Sequence, residues 1–394
     1  SSCRQDHWHQ HCQASKMKPT TSTGEILEGT LPGRLLVRPS RKREGVIQMF
    51  KPKDSCLPAY QQEDQRMCTT DAWCWGAPGE PNTLSQRTVD LGSLGARDVL
   101  VENQAIAFNP VDWKLVEHGH RDWKPGQVPG VDGMGRIAAI GDEVRHLRIG
   151  TRVAYHTDLR GHGSFAKHTA VPARAVMAVP SALTDEVAAS MPCPGLTAWQ
   201  ALSKLPDVAG ETLLIAGAAG SVGQFATRLA LQQNARVFAS ASARHHEWLR
   251  KLGVQAVADY HDSDWIDQLR KANGGQSFGS IIDLVSAEQA ANLVDHLGYY
   301  GHIVAVLGRV DPNPLPAFGR CVSLHEIALG AAHQHASDQQ WHELVHAGES
   351  ILDQLTSGAF AAPPIKTGHF DELSTFLSEY KNEGQGTKYI VTVD

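Results

Sequence analysis

Apolar positions along this chain fall into two regimes. From about residue 211 to 307, short solid apolar runs alternate with segments of helical period. Leu213, Leu214 and Ile215 form the first run, as expected of a parallel strand buried on both faces. Gly217, Gly220 and Gly223 follow at three-residue spacing, and then Phe225, Ala226, Leu229 and Ala230 recur as they would on one helix face. The series continues with a second strand at 235–242, its helix at 245–252, the start of a third strand at 256–258, and later strands at 280–285 and 302–307. Strands alternating with helical segments predict an α/β fold with a doubly wound parallel sheet.

The stretch from 72 to 183 has a different rhythm. Strand-like runs at 99–101, 104–108, 135–140, 152–155 and 165–171 are separated by turns at 130–133, 141–142, 150 and 161–163. Short strands, glycine-rich turns and few helices predict a compact β-rich domain. Beyond 308 a helical pattern spans 338–356, and a last strand-like run, 388–393, is placed to rejoin the β-rich part. The expected division is a β-rich domain at 67–186 completed by 325–394, with the nucleotide-binding domain at 187–324. Residues 1–66 carry scattered His, Gln, Ser and Pro with little periodicity and read as an extension outside the core, the globular pattern beginning near Met67.

Composition narrows the class without changing this picture. The 394 residues are 42% hydrophobic and 20% charged, with a formal net charge of −6, which argues against nucleic acid as a general partner. No apolar run is long enough to cross a membrane and no secretory core is evident, so the expectation is a cytoplasmic protein with no membrane partner. Five of the seven cysteines lie in the first 74 residues without paired metal-ligand spacing. Cys3, His7, His9, His11 and Cys12 read as a His-rich tail rather than a metal site.

The glycine turn carries the first chemistry. A strand, a glycine-rich turn and a helix present backbone N–H groups and a helix N-terminus to a pyrophosphate. Ala218 takes the first position of the dinucleotide fingerprint, Gly220 the second and Gly223 the third, with Ser221 and Val222 between them. At the end of the second strand, where an acidic residue would hold an NAD ribose, stand Ser240 and Ser242 followed by Arg244 and His245, with no carboxylate before Glu247. Hydroxyls and a guanidinium suit a 2′-phosphate, so NADP(H) is the expected cofactor, although Arg244 alone also suits a solvated helix start.

Several motifs in order then carry a resemblance. They are Asn109-Pro110-Val111-Asp112-Trp113-Lys114, Pro129-Gly130-Val131-Asp132-Gly133, Gly141-Asp142-Glu143-Val144 leading to Gly150-Thr151-Arg152-Val153, Gly163-Ser164-Phe165-Ala166, Leu196-Thr197-Ala198-Trp199, and the glycine turn. From about Ala72 to Asp394 the chain resembles the medium-chain dehydrogenase/reductases, and within them the zinc-independent quinone oxidoreductase and enoyl reductase branch. The resemblance implies a GroES-like catalytic domain, a Rossmann domain, a cleft between them, and a homodimer. It also implies that Thr197, Leu307 and Gly308 approach the nicotinamide, and that Tyr260 lies beside the adenosine 2′-phosphate.

The same resemblance bears on metal. Zinc-dependent relatives carry a catalytic Cys where this chain has Asn109 and a Gly-His-Glu where it has Gly130-Val131-Asp132, leaving only the Cys193 position retained. One thiol cannot replace three protein ligands, so no zinc is expected. Without a Lewis acid, reduction of a quinone or a conjugated enone is easier to support than oxidation of a simple alcohol. Candidate catalytic residues are Asn109 and Asp112, which order the pocket or hold a turn beside Pro110, and Lys114 and His120, which act on substrate or are solvated loop residues. His120 falls about where several zinc-free relatives place a tyrosine proton donor. Tyr155 lines the cleft or packs. The expected activity is therefore an NADPH-dependent, zinc-free oxidoreductase acting on a small quinone or enone; the alternatives are an alcohol dehydrogenase or a non-catalytic NADPH sensor.

Overall fold

The structure, a computed structural model, describes residues 69–384 and 386–394. The extension expected at 1–66, with its His-rich tail, lies outside the described residues. The described part falls within one compact unit.

The first strands, β1 (Thr69–Cys74) and β2 (Ser85–Asp90), pair antiparallel. They are followed by β3 (Asp98–Ala107), α1 (Pro110–His118), β4 (Asp132–Ile140), β5 (Arg152–His156), β6 (His168–Pro172), β7 (Val176–Ala178), α2 (Asp185–Ala189) and α3 (Pro192–Ser203). The two runs read separately at 99–101 and 104–108 are one strand. Asn103 breaks its apolar pattern because it serves an interior polar network: its amide donates to Ala166 O (2.8 Å) and Thr169 Oγ1 (2.9 Å) and accepts from the Tyr155 hydroxyl (2.6 Å). Tyr155, fully buried, packs in this network.

The stretch after Asn109 is helical, where a loop was expected. Pro110 is suited to a first helical position, and the Asp112 carboxylate reaches back to accept from the Asn109 N–H (2.7 Å).

A parallel series follows: β8 (Thr212–Ala216), α4 (Ser221–Gln232), β9 (Arg236–Ser240), α5 (His246–Leu252), β10 (Ala256–Ala258), α6 (Trp265–Ala272), β11 (Phe278–Asp283), α7 (Ala287–Leu293), β12 (Leu297–Ala305) and β13 (Ser323–Glu326). These strands form one parallel sheet in the order β10-β9-β8-β11-β12-β13. The chain leaves β8 toward β9 and returns to its other side at β11. The carboxyl ends of β8 and β11 thus flank a topological switch point, where such sheets bind ligands. The glycine turn sits there.

The chain ends with α8 (Ala332–His335), α9 (Asp338–Ser357), β14 (Ile365–His369), α10 (Leu373–Glu383) and β15 (Lys388–Thr392). The α9 start is a capping box: Gln340 N–H donates to Ser337 Oγ and Ser337 N–H donates to Gln340 Oε1. Strand β15 pairs antiparallel with β3 and parallel with β14, giving a second sheet in the order β14-β15-β3-β4-β5-β7 with β6 on β3. One buried cluster runs through Met134 and Val153 of this sheet, Leu196 of α3, Ile351 of α9, and Leu213 and Ile215 of the parallel sheet. The two sheets therefore share a core. No helix among the described residues is long and apolar enough to cross a membrane.

Leu214, wholly buried in β8, tests the double-sided burial expected of a parallel strand. Leu214→Ala should lower unfolding stability by about 2–5 kcal/mol, read from the urea midpoint at unchanged slope; a loss below about 0.5 kcal/mol would mean the strand is not packed on both faces.

Candidate active site

A cavity of about 520 Å³ opens at the switch point. Its polar lining includes Asn109, Lys114, His156, Cys193, Thr197 and Ser221. Most of the remaining wall is aliphatic, from Val111, Leu159, Leu284, Val306, Ile327 and Leu329. The site is thus apolar with a few convergent polar groups, as small-molecule sites are.

The glycine turn forms the floor on the parallel-sheet side. Gly217 has φ +85°, a left-handed conformation that favours glycine. A Cβ on Gly223 would lie 2.4 Å from Gly217 O, so only glycine lets α4 start this close to its strand. The Gly217 N–H donates to Ser240 Oγ (3.2 Å), and Ala218 N–H donates to Ser240 O (3.0 Å), which ties the turn to the end of β9. Gly220 caps α4 without a side chain, leaving first-turn N–H groups available to an anion. The cradle and the cavity beside it fit a dinucleotide.

Thr197, Gly220, Ser221, Val222, Gly223 and Leu307 all line this cavity. Ala218 and Ser240 are buried beneath it and shape the turn from below. Gly308 follows Leu307 with φ +113°. Ser242 and Arg244 begin the segment after β9, where Arg244 Nε donates to His245 Nε2 (3.0 Å). Tyr260 is about half exposed and its ring lies 4.2 Å from that of His261.

On the other wall the candidates divide. Asn109 and Lys114 line the cavity, whereas Asp112 is buried behind it, accepting from the backbone N–H groups of Asn109 and Val131. His120 is not among the lining residues; its Nδ1 lies 3.6 Å from Asp122 Oδ2 and its ring tilts against Trp123.

Behind Asn109 lies a buried charge cluster. Lys388, almost wholly buried at the start of β15, donates to Phe108 O (2.9 Å) and Asn109 Oδ1 (2.8 Å). The Asn109 amide donates to Asp132 Oδ2 (2.8 Å), and both Asp132 oxygens accept from the Cys193 N–H (3.0 Å) at the start of α3. Burial pushes Asp132 up to about 7, opposed mainly by Lys388, and pushes Asp112 up to about 8, opposed mainly by the Asn109 N–H. Burial also lowers Lys388, against the pull of Asp132, and raises the Cys193 thiol.

This donor set does not fit a catalytic zinc. Both functional atoms of the Asn109 amide are committed to Lys388 and Asp132, and among the described residues no three His, Cys, Asp or Glu side chains come together to hold a metal. The Lys388 ammonium also places a positive charge where a second cation would meet repulsion.

Three residues of the site went unread in the sequence: Asp132 beyond its motif, His156, and Lys388. Only Lys388 left a signal, a lone cation opening an otherwise apolar strand in which lysine is rarely tolerated unpaired.

Residues 95–181 match the family described as Alcohol dehydrogenase GroES-like domain, and residues 221–347 match the one described as Zinc-binding dehydrogenase. The chain is 32% identical over 222 residues to the trans-enoyl reductase tazE of Aspergillus terreus, covering 50% of this chain and 71% of that one. It is 30% identical over 303 residues to a zinc-type alcohol dehydrogenase-like protein of Staphylococcus epidermidis, covering 73% and 87% respectively. Among solved structures, the quinone oxidoreductase from Coxiella burnetii superposes with a TM-score of 0.68 at 21% identity, over 83% of this chain and 100% of that one.

If Lys388 neutralises the cluster, Lys388→Met should cost about 3–5 kcal/mol in urea denaturation, since it strands a buried charge. Adding Asp132→Asn should recover part of that loss. Equal stability of Lys388→Met and the parent would contradict the cluster.

Proposed function

Since the chain belongs to the medium-chain dehydrogenase/reductase superfamily of oxidoreductases, we propose that its cleft binds NADPH without zinc and reduces a quinone or an α,β-unsaturated carbonyl. The observation that carries this reading is the Lys388–Asn109–Asp132 network behind an apolar cleft. Bound there, NADPH supplies a hydride from C4 of its nicotinamide. Thr197, Leu307 and Gly308 flank the nicotinamide end. The glycine turn and the α4 N-terminus take the pyrophosphate, while Ser242, Arg244 and His245 take the 2′-phosphate, with Tyr260 beside the adenosine.

The chain's own chemistry at the reacting end is electrostatic. Asn109 is held rigid from behind, and Lys114 offers a donor from the wall, so negative charge developing on a substrate oxygen meets fixed dipoles and a cation. The aliphatic lining excludes water and suits a flat, apolar acceptor. The names of relatives, which include a trans-enoyl reductase and a quinone oxidoreductase, support the same substrate class. A homodimer belongs to this reading, supported by the strand β13 at the sheet edge and the exposed Tyr299 and Tyr300 nearby.

NADPH oxidation against a panel of quinones, enones and saturated aldehydes separates the possibilities. Turnover of the first two groups is expected. Preferential aldehyde reduction would favour the alcohol dehydrogenase reading, and tight NADPH binding with no turnover would favour a sensor. For the cofactor, Arg244→Ala should weaken NADPH binding about tenfold, the scale of one charge-assisted contact of about 1.5 kcal/mol, with NADH binding unchanged in a fluorescence titration. An equal loss for both cofactors would remove Arg244 from the 2′-phosphate site.

A further inference from the structure

His156 ends β5, stands in register with Asp132 across the β4–β5 pair, and lines the cavity. The residue is 6% exposed, and its Nδ1 has no hydrogen-bond partner.

The ring is held from behind. His333 of α8 stacks on it with centroids 6.0 Å apart and planes at 20°, and Trp341 tilts against the far side of His333 at 4.9 Å. Asp158 paired to Arg160, and Arg174 over Trp341, are the charged groups around this stack. Burial lowers His156 to about 3, so its ring stays neutral across ordinary pH, and burial lowers His333 as well.

A buried ring nitrogen without a partner carries a desolvation cost that an aliphatic residue in the same place would not. That cost falls when a ligand in the cleft supplies the missing partner at Nδ1. Asn109, held by Lys388 and Asp132, and Lys114, over the Trp113 ring, contribute a fixed dipole and a charge to this wall, and His156 adds a directed N–H.

Resting on the reductase reading above, we propose that His156, positioned by His333, is the hydrogen-bond donor that binds the carbonyl oxygen of the acceptor. Nδ1 carries the hydrogen and Nε2 the lone pair. With NADPH bound, its hydride would form the new C–H bond, leaving NADP⁺, and the displaced π electrons would move onto the oxygen that Nδ1–H holds. The proton that completes the reduction comes from water, and the neutral ring is not consumed. A neutral imidazole acting this way needs no titration of its own.

The test uses the NADP⁺-loaded protein and 4-nitrophenol, whose phenolate mimics the charged oxygen and whose ionisation is read from absorbance, beside turnover of the same quinones and enones. The parent should bind the phenolate and favour its ionisation. His156→Phe should bind it at least about tenfold more weakly and lose about 100-fold in kcat/KM, the effect of removing one oxyanion donor. His156→Gln, which keeps an N–H, should recover part of both. NADPH affinity should match the parent in both variants, and the Tm of His156→Phe should not fall, since the unpartnered nitrogen is gone. Phenolate binding and kcat/KM within about twofold of the parent in His156→Phe would overturn the proposal. A parent that reduces neither acceptor yet binds phenolate through His156 would sink the reductase reading and leave the oxygen site standing.

Discussion

The buried Lys388 ammonium is the constraint on which the site depends. It arrives on β15 and reaches Phe108 O and Asn109 Oδ1 at the junction of β3 and α1. Through Asn109 it is linked to Asp132 at the start of β4, and through Asp132 to the first turn of α3. Four segments far apart in sequence thus converge on one charge. Because a buried charge left unpaired is so costly, none of these segments can shift without exposing the others to that cost. The cleft wall is rigid for this reason.

The opposite wall is fixed by backbone geometry. Gly217 and Gly223 let α4 begin almost on top of β8, and Ser240 fastens the turn to β9. Between a charge-locked wall and a backbone-locked wall lies an apolar space with few free donors. Under the proposed function, such a space would suit an acceptor that takes a hydride and needs its oxygen steadied.

Much of the fold was legible in the chain. Solid apolar runs alternating with helical period identified the parallel series, and the glycine spacing located the turn that follows β8. The sequence also indicated that the last strand returns to the β-rich sheet, and β15 does pair with β3. What escaped was long-range or locally ambiguous. The Asn103 network split one strand into two apparent runs, since a buried asparagine looks like a turn until its partners 63 and 66 residues away are known. The α1 helix was hidden because Asn-Pro followed by Asp marks both a turn and a capped helix start. Lys388 and His156 carry meaning only through residues 279 positions away for the first and 177 away for the second, His156 to His333. Placement of Asn109, Lys114, Thr197 and Leu307 around one cavity followed the reading, while His120 stands apart from it.

We propose that an ammonium, and not a metal, supplies the positive charge behind this cleft. The most direct measurement is the zinc content of NADPH-oxidising protein, by elemental mass spectrometry, with turnover recorded before and after a strong chelator. The account predicts far less than one zinc per chain and unchanged turnover. One tightly held zinc per chain, with turnover lost on its removal, would contradict it.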